Sequence, residues 1–360
     1  FTCVTALAQT AWQIVLLRFF VAMGVGGEWA VASAMVAEVM PTRSRPVMSS
    51  IFHGSSVFGT LMAAAVGATV IGNEALGENA WRWGFAIGAA PALLTLWVRW
   101  KLREPDDWIR ARDRARTDKD ARTGRLTDLL RPPHLRNTLV GVTLASIGLV
   151  TFWGVHIYGK NALLRQAQNR ALQEEKVPLA APTDPAAKSV YKQRRSEALA
   201  KHRSSIKRAE MLSMTLNTLG GGLGLILFGP IAMRWGRRMT FIFYHAVAFL
   251  MVLILFRWLM VPETPTWQLA VALPVFGFFT LGMHAGYAVY FPELYPTRLR
   301  STGSGFCFNM GRLATAAAFV GFGMVAITDE RKAVLLAPLY LAGVAVVLMA
   351  RETSGQDLPE

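Results

Sequence analysis

Long apolar segments are the feature that most constrains what this chain can fold into. Only 17% of its 360 residues are charged, and 53% are hydrophobic. A helix of about 20 apolar residues crosses a hydrocarbon core roughly 30 Å thick. The sequence therefore excludes a soluble enzyme, a secreted disulfide scaffold and a disordered chain, and it predicts an all-α membrane protein. Nine spans are predicted, at residues 11–38, 47–71, 84–98, 138–158, 211–233, 239–261, 267–292, 302–327 and 333–350.

The basic residues lie mainly between these segments, although the net charge is +15. They form no continuous basic face, so no nucleic-acid partner is expected, and the lipid bilayer is the surrounding medium. If residues 99–137 are cytoplasmic, the loops on that side carry 20 Lys and Arg, against four on the other side. The polar insertion 159–208 carries 12 more and opposes this bias, but long loops cross membranes largely regardless of charge.

The residues that could hold a metal or cofactor are few. Cys3 and Cys307 lie far apart inside apolar stretches, so we interpret both as packing residues. The glycine-rich segments 220–224 and 303–306 lie within predicted apolar helices, without the preceding strand that a dinucleotide site or a nucleophile elbow requires. We expect no cofactor, no metal site and no enzymatic activity.

An internal repeat is the most informative motif. Residues 38–45 and 293–300 share the pattern E-x-x-P-T-R-x-R, and each copy lies between two apolar spans. Parallel repeats of this kind relate the two halves of one class of secondary transporter. The charged members of the two copies are Glu38, Arg43, Arg45, Glu293, Arg298 and Arg300.

The repeat has a physical interpretation. An acidic side chain at a helix C-terminus is unfavourable for the helix dipole, so it should seek a cationic partner. The arginines supply one, either within a copy or across the two halves. A charge network that forms in only one conformation biases a gate.

Four segments of the sequence resemble the major facilitator superfamily, in particular its sugar-porter and metabolite:proton symporter branches. Residues 18–45 resemble the fourth helix of those families and the loop that follows it, and residues 229–238 resemble their G-x-x-x-x-R-x-G-R-R loop. Residues 287–300 resemble the end of helix ten, and residues 351–355 resemble the P-E-T-x-G signature, with Arg in place of Pro. A weaker likeness covers 103–108. The resemblance implies a two-bundle helical fold.

The resemblance also implies how the spans are organised. The nine spans correspond to helices four to twelve, so helices one, two and most of three are expected to be absent, through a fragment, a misplaced gene start or a degenerate copy. The expected domains are the remainder of the N-terminal bundle at 1–98, a cytoplasmic loop at 99–137, a six-helix C-terminal bundle at 138–350 and a cytoplasmic tail at 351–360. A cytoplasmic gate is expected from the two repeat copies together with Arg234, Arg237, Arg238, Glu104 and Glu352.

Two ionisable residues lie in the first span. Glu28 is ten residues before Glu38, so helical rise places it roughly 15 Å deep, where a carboxylate is costly and suits proton coupling. A structural contact with a neighbouring helix is the alternative. Arg18 lies about 30 Å from Glu38, at the opposite face. It either extends to water or lines the substrate path.

The C-terminal half contributes Arg312, which lies about 18 Å from Arg300 along the helix. A buried guanidinium needs an anionic partner, and we expect this to be either a substrate carboxylate or Glu28. The remaining site candidates are Asn309, His284, Tyr287, Trp29 and His53, with packing and titrating roles both open for each histidine. Lower-ranked pocket candidates are Trp153 and Asn217, and His156 and His245 are interpreted as interfacial or lipid-side packing.

The leading hypothesis is a secondary transporter for a small metabolite, a sugar or an organic acid, coupled to protons and working by alternating access. We expect a multi-pass monomer in a bacterial-type inner membrane. The alternative is a non-transporting membrane sensor or a truncated remnant of a transporter.

Overall fold

The computed structural model of the chain describes residues 1–71, 74–101, 104–117, 123–261, 263–324 and 327–359. Arg103, the first residue of the 103–108 segment, lies outside these ranges. The described residues form helices and loops and contain no β-strand. This confirms the predicted all-α class.

The helices of the first 130 residues begin with the short α1. The long helix α2 starts with a capping box, in which the Thr10 hydroxyl accepts from the Gln13 backbone and the Gln13 side chain accepts from the Thr10 backbone. A π-helical segment, Gly67–Ile71, extends α4. The bounds are α1 Thr2–Thr5, α2 Ala11–Val39, α3 Arg45–Gly54, α4 Ser56–Val66, α5 Ala80–Ile87, α6 Ala90–Lys101, α7 Asp106–Thr117 and α8 Leu126–Leu129.

The remaining helices include two more π-helical segments, Phe152–His156 and Ile254–Leu259, which continue α9 and α14. The bounds are α9 Leu135–Thr151, α10 Ile157–Lys160, α11 Ala162–Glu174, α12 Pro185–Lys201, α13 Arg203–Trp235, α14 Arg237–Leu253, α15 Thr266–Gly282, α16 Ala285–Glu293, α17 Thr297–Gly323, α18 Asp329–Leu336 and α19 Pro338–Met349.

Seven helical segments in the described ranges are long and apolar enough to cross a membrane. They correspond to seven of the nine predicted spans. The predicted span 84–98 is divided, since α5 ends at Ile87 and α6 begins at Ala90. Most of the span 302–327 lies in the 27-residue α17, which ends at Gly323 and carries the polar residues Asn309 and Arg312; residues 325–326 lie outside the described ranges.

The chain forms two compact units. Unit 1 comprises Phe1–Leu139, Ala288–Asn309 and Gly355–Glu360, and unit 2 comprises Val140–Tyr287 and Met310–Ser354. The bundle and loop boundaries expected from the sequence stay a prediction.

Helices α13 and α15 form the closest helix pair of unit 2. A Cβ atom at Gly220 or Gly224 would overlap the backbone of Pro274 or Phe278 on α15, and one at Gly277 would overlap the backbone of Asn217. Glycine is therefore required on both sides of this contact. Small residues commonly allow such close approach in membrane helices.

Within the insertion 159–208, the helices α11 and α12 lie on either side of a Pro-containing turn. It has a small core of its own, made of Leu172, Val177, Tyr191 and Ala198.

Candidate functional site

The two repeat copies fold in the same way. In the first, Arg45 is 5% exposed, and its guanidinium turns back on the preceding helix. Its Nε donates to the Ala37 carbonyl at 2.9 Å, and its Nη2 donates to the Thr42 hydroxyl at 3.3 Å. The arginine thereby satisfies a carbonyl in the last turn of α2, where a cation also complements the helix dipole.

The second copy repeats this arrangement residue for residue. Arg300 Nε donates to the Pro292 carbonyl at 3.2 Å, near the end of α16, and Nη1 donates to the Thr297 hydroxyl at 3.1 Å. Both arginines therefore reach back eight residues to a carbonyl and three to a threonine. In each copy, therefore, the last Arg of the pattern donates a hydrogen bond to the Thr three residues before it. The sequence pattern did not predict this role for the threonines.

Glu38 pairs with Arg300 of the other copy. The Glu38 carboxylate accepts from Arg300 Nη1 at 2.7 Å, and the side chains are only 7% and 1% exposed. The sequence left open whether Glu38 pairs within its own copy or across the two halves. This ion pair is one across the two halves. It joins segments that are 262 residues apart in the chain.

A second contact holds the segment 123–130 against the second copy. Arg298 Nη1 donates to Asp128 at 2.7 Å, and the Gly124 backbone donates to the Arg298 carbonyl at 2.9 Å. The hydrogen bond from Arg298 lowers the pKa of Asp128 below its ordinary value, despite a smaller opposing effect of burial. Asp128 is therefore ionised at neutral pH. It was absent from the sequence-based site.

The chain's last residues contact both copies. The Thr42 hydroxyl donates to Asp357 at 3.1 Å, and Arg300 Nη2 donates to the Pro359 carbonyl at 2.9 Å. These contacts make the tail part of the same charged region in unit 1.

The predicted gate residues Arg237, Arg238 and Glu352 form a separate set in unit 2. The Glu352 carboxylate accepts from the backbone N–H groups of Arg237 and Arg238, both at 3.0 Å, at the start of α14. Burial alone raises the pKa of Glu352, but bonds from four backbone N–H groups outweigh it and lower the pKa below its ordinary value. Gly236, the residue before α14, has a φ of 85°, which only glycine adopts without strain.

The arginine side chains of this set bind carbonyls and a hydroxyl. Arg237 Nη1 donates to the Ala232 carbonyl at 3.3 Å and to the Ser354 hydroxyl at 3.1 Å, and Arg238 Nη2 donates to the Leu348 carbonyl at 2.8 Å. The contacts therefore anchor the segment 352–354 to the C-terminal end of the 229–238 motif. Their part in gating stays a prediction.

Three of the predicted site residues meet in unit 1. Trp29 stacks on Phe308, with ring centroids 4.0 Å apart, and its Nε1 donates to His53 Nδ1 at 3.2 Å. Nδ1 of His53 is therefore an acceptor. Asn309, next to Phe308, is exposed and donates to the Gly305 carbonyl at 2.9 Å. This aromatic and polar cluster joins α2, α3 and α17.

Two others meet in unit 2. The rings of His284 and Tyr287 are 5.2 Å apart, and His284 also contacts the edge of Phe152 at 5.0 Å. Tyr287 is fully buried and donates to the Leu144 carbonyl at 3.3 Å.

The remaining predicted residues are placed as follows. Glu28 is exposed on α2, and Arg18 is exposed with its guanidinium over the Phe85 ring at 5.6 Å. Arg312 is half-buried on α17. Three gate candidates, Arg43, Glu104 and Arg234, are exposed, and Glu293 is buried.

Of the two roles expected for His156 and His245, interfacial or lipid-side packing, the lipid-side one was wrong. Both are buried inside unit 2, with exposures of 4% and 0%. His156 lies in a hydrogen-bond chain: Asn217 Nδ2 donates to its Nε2 at 3.0 Å, and its Nδ1 is 2.8 Å from the Thr280 hydroxyl. The Thr280 hydroxyl donates to a carbonyl of its own helix at 2.6 Å, so His156 Nδ1 carries the proton.

This polar chain explains why a histidine is tolerated there, because each of its ring nitrogens has a partner. Among Asn217, His156 and Thr280, only Asn217 was a pocket candidate from the sequence. The other candidate of that rank, Trp153, is 48% exposed. Among the described residues no group of three or more His, Cys, Asp or Glu side chains could hold a metal ion.

Comparisons with known proteins bear on the family and the fold of the chain. A family model described as "Sugar (and other) transporter" matches residues 1–129. A solved structure that resembles this chain is that of XylE, a proton:xylose symporter of the major facilitator superfamily, bound to 6-bromo-6-deoxy-D-glucose. The two superpose with a TM-score of 0.63 at 14% sequence identity, and the match covers 92% of this chain and 69% of XylE. The chain has the fold of the major facilitator superfamily, and its residues 1–129 match the sugar-transporter family.

Relatives by sequence cover nearly the whole chain. A Haemophilus influenzae protein assigned to metabolite transport is 24% identical over 361 residues, which is 99% of this chain and 78% of the relative. The cis,cis-muconate transport protein of Acinetobacter baylyi is 25% identical over 332 residues, or 90% of this chain and 68% of that protein. The chain is a multi-pass protein of a bacterial-type plasma membrane, and these relatives are named as transporters.

Proposed function

We propose that this chain, a secondary transporter by family, carries a small organic acid together with protons by alternating access. The single observation that carries the proposal is the buried ion pair between Glu38 and Arg300, which joins the two repeat copies.

The pair has the properties of a conformational gate. Each copy closes on its own helix through Arg45 or Arg300, so the copies are stable units that do not need each other for their internal hydrogen bonds. The ion pair of Glu38 and Arg300 links one copy to the other. Their attraction is lost when the copies separate, so the pair favours the state in which this side is closed.

Arg312 supports an anionic substrate. A half-buried guanidinium on a membrane helix is costly, and its planar donors match a carboxylate. Asn309 lies one helical turn before it and adds a neutral donor. The muconate transport protein, whose name denotes a dicarboxylic acid, is among the similar proteins, which favours an organic acid over a sugar.

Glu28 is the proposed proton carrier. It precedes Trp29, which packs on Phe308 and bonds His53, so protonation of Glu28 acts next to the contact between α2 and α17. A carboxylate that gains a proton loses its charge, and this lowers the cost of moving it through an apolar environment.

The test is uptake of radiolabelled cis,cis-muconate by proteoliposomes with an imposed pH gradient. We expect Arg312→Gln to abolish uptake and Arg312→Lys, which keeps the charge but not the planar fork, to weaken it by about tenfold or more. Glu197→Gln, an exposed acid on α12, is the matched control and should transport normally. Normal uptake by Arg312→Gln would contradict the substrate role.

Proton coupling is tested separately with Glu28→Gln. This variant should still exchange substrate across the membrane when no gradient is present, but it should not accumulate substrate against a gradient. Undiminished accumulation driven by protons would refute the role of Glu28 and leave that of Arg312 intact.

A further inference from the structure

A cavity of unit 2 lies between two membrane spans, and its lining is cationic in one part and apolar in the other. It measures about 350 Å³. One wall is the π-helical segment Ile254–Leu259, which continues α14, and the other is α18, which begins the span Asp329–Met349. The lining includes Phe256, Arg257, Glu330, Arg331, Val334 and Leu335.

The two arginines of this cavity lie at the same end of their spans. Arg257 is 20 residues after Arg237, the first residue of α14, which is about 30 Å along the helix. Arg331 is 18 residues before Met349, the last residue of α19, which corresponds to about 27 Å. Glu352 binds the backbone of Arg237, so α14 begins on the side where α19 ends. Since a hydrocarbon core is roughly 30 Å thick, both cavity arginines lie at the headgroup level of the other side.

Exposed tryptophans mark the same level. Trp258 follows Arg257 and is 64% exposed, and Trp267, in the first turn of α15, is 65% exposed. Tryptophan is enriched where a membrane span meets the headgroup region. The cavity is therefore at the depth of the lipid headgroups.

The guanidinium groups of Arg257 and Arg331 are available to a ligand. Both side chains are exposed, and neither guanidinium has a hydrogen-bond or ion-pair partner among the described residues. All residues three or four positions away from either arginine are uncharged, so no acid lies one helical turn away on the same face. Glu263, six residues after Arg257, is exposed and does not line the cavity.

The acidic residues of α18 bind other cations. The Glu330 carboxylate, which lines the cavity, accepts from Arg165 Nη1, and Asp329 accepts from Nη2 of the same guanidinium. Lys332 Nζ is also 4.0 Å from Asp329. These two acids and two bases balance one another, so the two cavity arginines add two positive charges to a neutral group.

The apolar part of the lining lies deeper in the membrane than the arginines. Val334 and Leu335 follow Arg331 by one helical turn, toward the interior of their span, and Leu335 is 61% exposed. Phe256 precedes Arg257 on the interior side of the other span. Cationic groups at the headgroup level above an exposed apolar surface match an amphipathic anion, whereas a soluble anion has no use for the apolar part.

We propose that this cavity binds an anionic phospholipid, whose phosphodiester bridges Arg257 and Arg331 while an acyl chain packs against Leu335. Guanidinium groups bind phosphate oxygens in a planar, bidentate manner, and basic pockets between membrane helices are suited to anionic headgroups. The volume is at the lower end of small-molecule sites, which fits a headgroup and the start of a chain. The bound lipid joins the ends of α14 and α18 and stabilises unit 2, independently of the proposed transport function.

The test is thermal unfolding of the purified full chain in detergent micelles, titrated with phosphatidylglycerol or with phosphatidylcholine. The cavity variant Arg257→Gln/Arg331→Gln is compared with Lys192→Gln/Arg195→Gln, which removes the same charge from exposed positions of α12. Phosphatidylglycerol should raise the unfolding midpoint of the wild type and the control. Its half-saturating concentration should be at least about tenfold higher for the cavity variant. Phosphatidylcholine should not distinguish the three chains.

A second variant, Arg257→Lys/Arg331→Lys, keeps both charges but not the planar fork, and its affinity for phosphatidylglycerol should lie between those of the wild type and the Gln variant. It also provides the comparison if the Gln variant does not fold, which midpoints without lipid reveal. Glycerol 3-phosphate, a headgroup without acyl chains, should not stabilise the wild type at the same concentrations.

Three results would overturn the proposal. The first is an equal response of the cavity variants and the control to phosphatidylglycerol. The second is a wild type that phosphatidylglycerol stabilises no more than phosphatidylcholine does. The third is stabilisation by glycerol 3-phosphate as strong as that by the lipid, which would indicate a soluble phosphate ligand.

Discussion

The buried pair between Glu38 and Arg300 gives the sharpest prediction, because it should be lost when the two repeat copies separate. The perturbation is Glu38→Ala, which removes the carboxylate 2.7 Å from Arg300 Nη1. The variant leaves Arg300 in place, so the remaining guanidinium is the group whose environment changes. Glu38→Gln is a milder companion, since its amide oxygen can still accept the hydrogen bond.

The magnitude follows from burial. Removing one partner of a buried ion pair typically costs about 3–5 kcal/mol. Arg300 keeps three neutral acceptors, on Pro292, Thr297 and Pro359, so the lower end of about 3 kcal/mol applies. At about 1.4 kcal/mol per factor of ten, the closed state loses roughly a hundredfold in population relative to the open state.

The assay is site-resolved alkylation of a cysteine at position 33. Ser33 is fully buried on the face of α2 that includes Ala30, and a Cβ at Gly305 of α17 would lie 2.7 Å from the Ala30 Cβ. Ser33→Cys is nearly isosteric and should react only when α2 and α17 separate. The exposed Cys3 is replaced by Ser, and the buried Cys307 stays as an internal reporter of global unfolding.

Glu38→Ala should accelerate alkylation at position 33 by roughly a hundredfold, and Glu38→Gln by less. The control is Asp113→Asn, which breaks an exposed pair worth at most about 1 kcal/mol. Labelling of Glu38→Ala at the rate of this control would refute the gate argument. Equal acceleration at Cys307 would show that the variant unfolds rather than opens.

Two further predictions concern the neighbouring contacts. Gly236→Ala should destabilise the protein by about 1–3 kcal/mol, as measured by thermal unfolding. The φ of 85° is strained for alanine, and the added Cβ would lie 2.8 Å from Glu352 Oε2. The control Gly321→Ala lies in an open part of α17 and should leave the stability unchanged. The pair between Asp128 and Arg298 has a lowered carboxyl pKa, so its stabilisation is complete above the ordinary value of 3.8 and is lost as the pH falls through the lowered pKa. Unfolding midpoints across acidic pH should therefore converge between wild type and Asp128→Asn, and a constant difference down to the lowest pH would contradict the assignment.

Much of the fold could be predicted because it depends on local pattern. The apolar segments required long helices, and the Pro-containing break in the insertion separated α11 from α12. The division of the span 84–98 between α5 and α6 could not be predicted, because composition does not reveal where a helix stops, and α5 ends at Ile87 within an apolar stretch.

The candidate site could be predicted only in part. The repeat identified Glu38 and Arg300 by their charge, but not the threonines that hold each arginine, because a threonine in a loop has many possible partners. His156 was misplaced since a single sequence does not say which face of a helix is buried, and its partner Thr280 is 124 residues away.

The sequence by itself determined the membrane class and the position of the repeat. These depend on hydropathy and on spacing along one helix. The tertiary structure alone decided that Glu38 meets Arg300 of the other copy, and that Glu352 caps α14 from 115 residues away. Such pairings depend on which helices become neighbours, and that is fixed by packing of the whole chain rather than by any local segment.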